Sequence, residues 1–503
     1  INDTILDNVT NDTVFSIPKL LNRVAWLKNN KSPLNKYYDK HRNQLDGWDD
    51  DLLYRYTMDA TENKTPALNT HSHDFGGSLA HRGSYTHVYG KTGTMLYNLE
   101  YVLGEKLFLD AMQNYFNTWK MAHPYLNDFR NSIIQFTKVD LNWFFDQWLN
   151  TNKDLDYAIG KVENLGSDTF EITVLRKGEM EMPIDLTIDS KFGLQYEYHI
   201  PNKWFIKEDK DRDFILPKWT GYGNLNKEYT FVTHVPSGIK NVIIDNSNRL
   251  ADSYMINNRH KGNIDFSLDY GVKKWANLRK YEMKARPDIW YNAYDGMKIG
   301  TNLEGHYLKT HHKIKGNFWI NSGIFRDDNL NDSQNDKISY RIKYSTSLYK
   351  YVKHSRLRVE LSALDGLNYF SLGYKLKDKS NMNTLDISFN SFKRKETSDL
   401  NGYLLNEGNW GAENMLNTHM LIGLEHRYKY LNGNKFKGTG HIHLSLKASS
   451  IMSDYDFSQL SMSAINNNQF GDFKIKTRLF AQRGFNHTGS KYSNDTPFES
   501  MLY

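Results

Sequence analysis

The sequence predicts a multidomain protein of the α + β class, in which helices come first and antiparallel strands follow. Apolar residues recur with a helical period of about 3.6 up to residue 155 and with a period of two beyond it. The chain has 503 residues, which is more than a single hydrophobic core usually organises. We therefore predict three parts, at residues 1–155, 156–262 and 263–503.

The composition excludes several classes of protein. The chain has 64 Lys and Arg against 58 Asp and Glu, so its net charge is small. It contains no basic cluster interleaved with aromatic residues, so the sequence predicts no nucleic-acid partner. Cysteine is absent, so disulfides and thiolate metal sites are excluded. The sequence contains no run of about 18 apolar residues, so it predicts no transmembrane helix. At 14%, the aromatic content is too high for a disordered chain.

The first part begins with predicted helices joined by polar loops. Apolar residues spaced as on one helix face predict an amphipathic helix over residues 17–27, and residues 46–51 and 63–84 are predicted to be loops. Four histidines, three of them in or beside the second loop, could gather a metal: His71, His73, His81 and His87. No carboxylate stands at helical spacing to complete such a site, which favours solvated loop histidines instead.

Residues 87–151 contain four helical patterns. Met95, Leu99 and Val102 share one face of the first helix, and Gly104 is predicted to end it. The second pattern predicts a helix that is buried along one side, through Phe108, Ala111, Met112, Tyr115, Phe116 and Trp119. Asn127 or Asp128 and then Asp140 are predicted to cap the third and fourth helices.

The order of motifs along this stretch resembles the aminopeptidase-N-like zinc metallopeptidases, the gluzincins, and most of all their branch in Bacteroidota. The motifs are Tyr89-Gly90-Lys91, Leu103-Gly104-Glu105-Lys106-Leu107-Phe108 and Asp140-Leu141-Asn142-Trp143-Phe144-Phe145. The resemblance implies the helical half of a thermolysin-like peptidase domain, with Tyr89 as the catalytic tyrosine. A phenol placed opposite the metal would donate a hydrogen bond to the oxyanion that forms when water attacks a peptide carbonyl.

The resemblance also implies zinc, but the family's zinc motif is missing from this chain. Neither H-E-x-x-H nor the exopeptidase motif G-x-M-E-N occurs in the sequence. In the family both precede the Tyr-x-Lys segment. We expect either that the zinc ligands belong to an upstream segment of a longer protein or that the peptidase machinery has been lost, and we assign no metal ligand here.

The second part is predicted to be a β-sandwich over residues 156–262. Short segments of period two at 157–159, 169–174, 184–188 and 242–244 are separated by Gly, Asn and Asp turns. This part resembles the β domain that follows the helical domain in the same peptidases, and its expected role is scaffolding.

In the third part, apolar and polar residues alternate strictly from Met297 onward, in about ten segments. Charged residues stay on one face of these segments and the other face is almost uncharged, as at Arg341, Lys343, Lys474, Lys476 and Arg478. A polar interior and a lipid-facing wall require this pattern, and the segments have about the length that crosses a bilayer. A soluble sheet is the alternative, but its strands are usually shorter. We predict an antiparallel outer-membrane β-barrel over 263–503, incomplete because no closing strand is evident after Phe480.

Together these features predict the downstream part of an outer-membrane-anchored, aminopeptidase-like metallopeptidase of a Gram-negative bacterium. The peptidase-like part would lie in the periplasm or at the cell surface, with a peptide substrate and outer-membrane lipid as partners. A non-catalytic structural or assembly component of an outer-membrane protein complex is the alternative from another class. A ligand-uptake barrel is a third, less favoured because nothing resembles a plug domain.

Overall fold

The computed structural model describes residues 47–61, 66–71, 86–207, 213–268, 277–292, 295–308, 310–325, 337–364, 366–378, 380–394, 416–432, 436–450, 452–454 and 456–487. In these ranges a few helices precede a large β-rich region, which confirms the predicted order. The chain forms two compact units, one of Ile1–Asp265 with Gly271–Tyr281 and one of Phe266–Tyr270 with Glu282–Tyr503. The three predicted boundaries stay a prediction, and the helix predicted at 17–27 lies outside the described residues.

The described helices all belong to the first unit. They are α1 (Gly47–Thr61), a π-helical turn (Thr86–Lys91), α2 (Thr92–Leu103), α3 (Glu105–Trp119), α4 (Leu126–Thr137) and α5 (Asn142–Asn150). None of the described helices has the length and hydropathy of a membrane-spanning helix.

Helix α1 shows that the predicted loop at 46–51 was wrong. The pattern of this segment is only weakly amphipathic, yet Leu53, Tyr56 and Ala60 are buried along one side. The Tyr56 ring lies 5.7 Å from that of Trp148 in α5. A helix of this kind is stabilised mainly by tertiary packing, which local sequence does not reveal.

Helices α3, α4 and α5 pack through a series of edge-to-face rings. The Tyr115 ring lies 5.0 Å from Phe129, and Phe129 lies 5.9 Å from Phe145. Five residues of α5 are buried, whereas only Ala111 of α3 is buried and Phe116 is 66% exposed. The apolar stripe of α3 is therefore less buried than predicted.

The helix ends differ in part from their predicted caps. Gly104 ends α2 with a φ of +79°, as predicted. Asp140 accepts the backbone N–H of Asn142 at 3.0 Å, at the start of α5. Helix α4 begins at Leu126, so Asp128 lies one turn inside it and accepts the N–H of Tyr125 at 2.8 Å. This contact satisfies one of the free donors at the helix start.

The rest of the first unit contains two small sheets. One has the order β1-β2-β6 and the other β5-β4-β3-β7. The strands are β1 (Tyr157–Gly166), β2 (Thr169–Arg176), β3 (Ile184–Ser190), β4 (Gln195–Ile200), β5 (Phe214–Ile215), β6 (Glu228–His234) and β7 (Ile239–Ile244). The sheets meet where the Tyr198 ring lies 5.6 Å from Phe231 and its hydroxyl lies 2.6 Å from Thr233 Oγ1.

A 12-stranded sheet dominates the second unit. Its strands are β8 (Ile264–Leu268), β9 (Tyr281–Asn292), β10 (Gly296–Tyr307), β11 (His311–Asn321), β12 (Ile338–Ser347), β13 (Ser355–Leu364), β14 (Leu367–Lys377), β15 (Asn383–Arg394), β16 (Leu416–Asn432), β17 (Phe436–Ser449), β18 (Phe457–Phe470) and β19 (Phe473–Asn486). From β9 to β19 each strand pairs antiparallel with the next along the chain. The fold is thus a long meander, and its closure into a barrel stays a prediction.

Two strands of this sheet, β9 and β19, include residues that the alternating sequence pattern does not assign to a strand. Strand β9 runs through Pro287, a residue that normally argues against a paired strand. Pro287 lies opposite Thr301, whose hydroxyl donates to the Arg286 carbonyl at 3.1 Å. Strand β19 continues past Phe480 to Asn486.

Candidate functional site

Tyr89 lies on the π-helical turn Thr86–Lys91, which leads directly into α2. Its side chain is 62% exposed, and that of Val88 is exposed beside it. His87 and Lys91 on the same turn are buried. Wide turns of this kind are rare and occur frequently at functional sites. The turn therefore exposes the phenol of Tyr89 to solvent, while the side chains of His87 and Lys91 on either side of it are buried.

Lys91 fixes this turn to two distant parts of the helical region. Its ammonium donates to the carbonyl of Pro66 at 2.6 Å and to that of Thr151 at 3.4 Å. Those two segments are themselves joined, since the Asn69 N–H donates to the Leu149 carbonyl at 3.0 Å. A buried ammonium is stable only when its hydrogen bonds are made. Through these hydrogen bonds Lys91 fixes the backbone of the Tyr89 turn to the segments at Pro66 and Thr151.

The electrostatics of the turn favour a neutral histidine beside a lysine. Burial and, to a smaller extent, the nearby charge of Lys91 together lower the pKa of His87 to about 4, against the effect of backbone hydrogen bonds at Ala67 and Leu68. Burial also lowers the pKa of Lys91 to about 8. At neutral pH His87 is uncharged and Lys91 is mostly charged.

The turn can donate a hydrogen bond to a ligand at its surface. The Tyr89 hydroxyl is a donor that an oxyanion or carbonyl oxygen accepts, and the buried neighbours limit how far the backbone beneath it can move. Sequence reasoning singled out Tyr89 but gave Lys91 no role. The residues that Lys91 contacts stand 25 and 60 positions away, so no local pattern indicates them.

The histidines considered as metal ligands do not assemble in the described part of the chain. His71 is exposed, His87 is buried in the π-helical turn, and His73 and His81 lie outside the described residues. Across the described ranges no three His, Asp or Glu side chains form a group that could hold a metal ion. The described residues therefore do not fit the zinc site that the family resemblance implies.

A second cluster of polar residues lies inside the first unit. Asp185, Glu197, Asp245, Asn246 and Ser247 line a cavity of about 300 Å³. Beside it, the Asp185 carboxylate lies 2.7 Å from Nδ1 of the fully buried His199 and 3.5 Å from the Lys207 ammonium. These contacts tie β3 to β4 and to the segment after β4, so we assign the cluster a structural role.

The 12-stranded sheet presents a second candidate surface. Ile289, Ile299, Ile320 and Ile338 lie side by side across four strands, and Ile422, Leu446 and Leu460 across three more. All seven side chains are exposed. Proteins in water rarely expose an apolar face of this extent unless it meets lipid or another protein.

The opposite face of the same sheet carries the charges. Lys315, Lys343 and Glu360 lie directly opposite one another on β11, β12 and β13. Arg341 is on the same face and contacts Glu360 at 2.7 Å. On β11, β12 and β13 the register therefore separates apolar from charged side chains, as the alternation predicts.

The comparisons with families of known proteins and with curated proteins found no relative of this chain. No family model matches the chain, and no curated protein matches it significantly. The resemblance to the aminopeptidase-N-like family therefore stays a prediction, based on the motifs around Tyr89.

Proposed function

We propose that the chain is the downstream part of an outer-membrane-anchored, aminopeptidase-like zinc metallopeptidase of a Gram-negative bacterium. In this proposal Tyr89 donates a hydrogen bond to the oxyanion formed from a peptide carbonyl, and the zinc ligands lie outside this chain. The observation that carries the proposal is the exposed Tyr89 phenol on a π-helical turn that Lys91 fixes from beneath.

The membrane anchor is supported by the dimensions of the sheet. Strands β9 to β19 have between 10 residues, as in β12, and 17 residues, as in β16. A strand that crosses a bilayer at a tilt needs about 9–11 residues. The apolar face of these strands would meet lipid and the charged face would meet an aqueous interior.

The connections between the strands support the same anchor. At one end of the sheet the chain crosses from β11 to β12 through residues 322–337 and from β15 to β16 through residues 395–415. At the other end the longest connection is 348–354, between β12 and β13. Outer-membrane barrels combine short turns on one side with longer loops on the other.

The test uses protein purified from its native outer membrane. We expect about one zinc ion per protein, release of N-terminal residues from oligopeptides, and a loss of about 100-fold or more in kcat for Tyr89→Phe. Tyr222→Phe, at another exposed tyrosine, is the matched control and should keep full activity. Zinc content should be unchanged in both variants. Protein without zinc and without peptidase activity, or a Tyr89→Phe variant with full kcat, would overturn the proposal.

A non-catalytic assembly component is the second candidate. The connection between α3 and α4 carries exposed apolar side chains at Met121 and Tyr125, and Phe116 of α3 and Leu126 at the start of α4 are exposed as well. Exposed apolar clusters of this kind are typical of protein interfaces. This function predicts a stoichiometric partner that crosslinks to residues 116–126 in the native membrane, together with absent peptidase activity.

A further inference from the structure

In the last strands of the sheet, the charged face carries only positive charges. Strands β17, β18 and β19 contain no Asp or Glu. Lys474, Lys476 and Arg478 alternate along β19, and all three are exposed. The pairing places Arg478 in one cross-strand row with Arg427 and Lys476 in another with Lys429.

Four carboxylates of the earlier strands are already paired with cations on this face. Glu304 contacts Lys315 at 2.9 Å, and Glu360 contacts both Arg341 at 2.7 Å and Lys343 at 3.1 Å. Asp386 contacts Lys375 at 3.8 Å as well as Arg358. Glu425 contacts Arg427. These acids are therefore engaged close to their own strands.

In contrast, the cations of β19 have no ion-pair partner within the described ranges. Arg478 lies 5.5 Å from the ring of Phe480. Alternate residues of a strand are about 7 Å apart, which is within the Debye length of about 8 Å at physiological ionic strength. The fields of Lys474, Lys476 and Arg478 therefore add. Lys429 on β16 contributes a further cation to this basic patch from about 14 Å away, three strand spacings across the sheet.

We propose that the aqueous interior bounded by this face is selective for small anions, with the basic patch of β16 and β19 as the selecting element. The inference rests on the proposed membrane anchor. Rings and rows of Lys and Arg concentrate anions in a pore and exclude cations. Chloride, phosphate and small carboxylates share the chemistry that the patch recognises.

The experiment reconstitutes the full protein into planar bilayers of phosphatidylcholine and measures the reversal potential in a KCl gradient. We expect chloride to be more permeant than potassium. The triple variant Lys474→Glu, Lys476→Glu, Arg478→Glu should reduce or reverse this preference. A control with the same change of charge at exposed lysines of the first unit, Lys177→Glu, Lys218→Glu and Lys240→Glu, should leave it unchanged. The single variant Lys476→Gln should shift the potential in the same direction by less, and it guards against misfolding of the triple variant.

The outcomes separate this inference from the proposed function. Insertion with a cation preference, insertion without conductance, or selectivity that the β19 variants leave unchanged overturns the anion selectivity and leaves the anchor intact. A protein that does not insert into bilayers overturns the membrane anchor itself.

Discussion

The Lys91 ammonium donates a 2.6 Å hydrogen bond to the Pro66 carbonyl, joining the π-helical turn of Tyr89 to a segment 25 positions earlier in the chain. The lysine itself is buried, with only 1% of its surface exposed. The hydrogen bond makes the placement of the exposed tyrosine depend on a lysine two residues away.

Replacing Lys91 by Met is therefore expected to loosen the turn. The variant keeps the volume of the side chain but leaves the Pro66 carbonyl without this donor, which should cost about 1–3 kcal/mol. Hydrogen exchange should accelerate at residues 86–94 in particular. Lys106→Met is the control, because Lys106 is an exposed lysine that pairs with Asp110 on its own helix. Equal exchange in the two variants would contradict the anchoring role.

Asp252 is expected to make the stability of the first unit depend on pH. Burial raises the pKa of its carboxyl from 3.8 to about 7, against the hydrogen bonds that it accepts from the N–H groups of Tyr157 and Tyr254. The native state keeps this proton up to about pH 7, whereas the unfolded chain releases it near pH 4. The contribution of Asp252 to stability therefore falls as pH rises between about 4 and 7, by at most about 4 kcal/mol, and is constant above pH 7.

The Asp252→Asn variant isolates this contribution. The amide does not titrate, so the difference in unfolding free energy between the two proteins should change across that pH window and level off above it. His87 has the opposite dependence, because its pKa is lowered to about 4, but it is the same in both proteins and cancels. Urea unfolding followed at several pH values measures the difference. A difference that does not vary with pH would show that Asp252 titrates near its ordinary value.

His199 is expected to stabilise the sheet of β3 and β4. Its Nε2 accepts the Lys207 N–H at 3.1 Å, which leaves Nδ1 to donate to Asp185 at 2.7 Å. His199→Leu removes both contacts and leaves buried polar groups without them, at a cost of about 2–4 kcal/mol. Thermal unfolding measures the loss. His234→Leu, at an exposed histidine of β6, should cost under about 0.5 kcal/mol.

The two faces of the long sheet are expected to tolerate a cation differently. Ile422→Arg places a charge on the apolar face of β16, where a lipid contact would cost about 2–4 kcal/mol. Ser463→Arg places the same charge on the opposite face, in the register row of His443, and should cost much less. The fraction of each variant that resists extraction from membranes by alkaline buffer measures the difference. Equal loss in both variants would argue against lipid on the apolar face.

Local pattern determined much of this architecture. The change from helical to alternating periodicity near residue 155 gave the order of helices and strands, because each period follows from backbone geometry alone. The separation of Lys343 and Glu360 from Ile342 and Leu361 follows equally from alternation, and the register preserves it. The motifs around Tyr89 likewise marked the residue that the π-helical turn exposes.

Tertiary structure decided the features that depend on contacts between distant segments. Helix α1 forms where a loop was predicted, since Tyr56 packs on Trp148 far along the chain. Strand β9 passes through Pro287 because its neighbour β10 holds it in register. Burial of Lys91, and with it the anchoring of the Tyr89 turn, requires the carbonyls of Pro66 and Thr151 to converge. Such convergence is a property of the folded chain as a whole, since packing can override the local preference of any one segment.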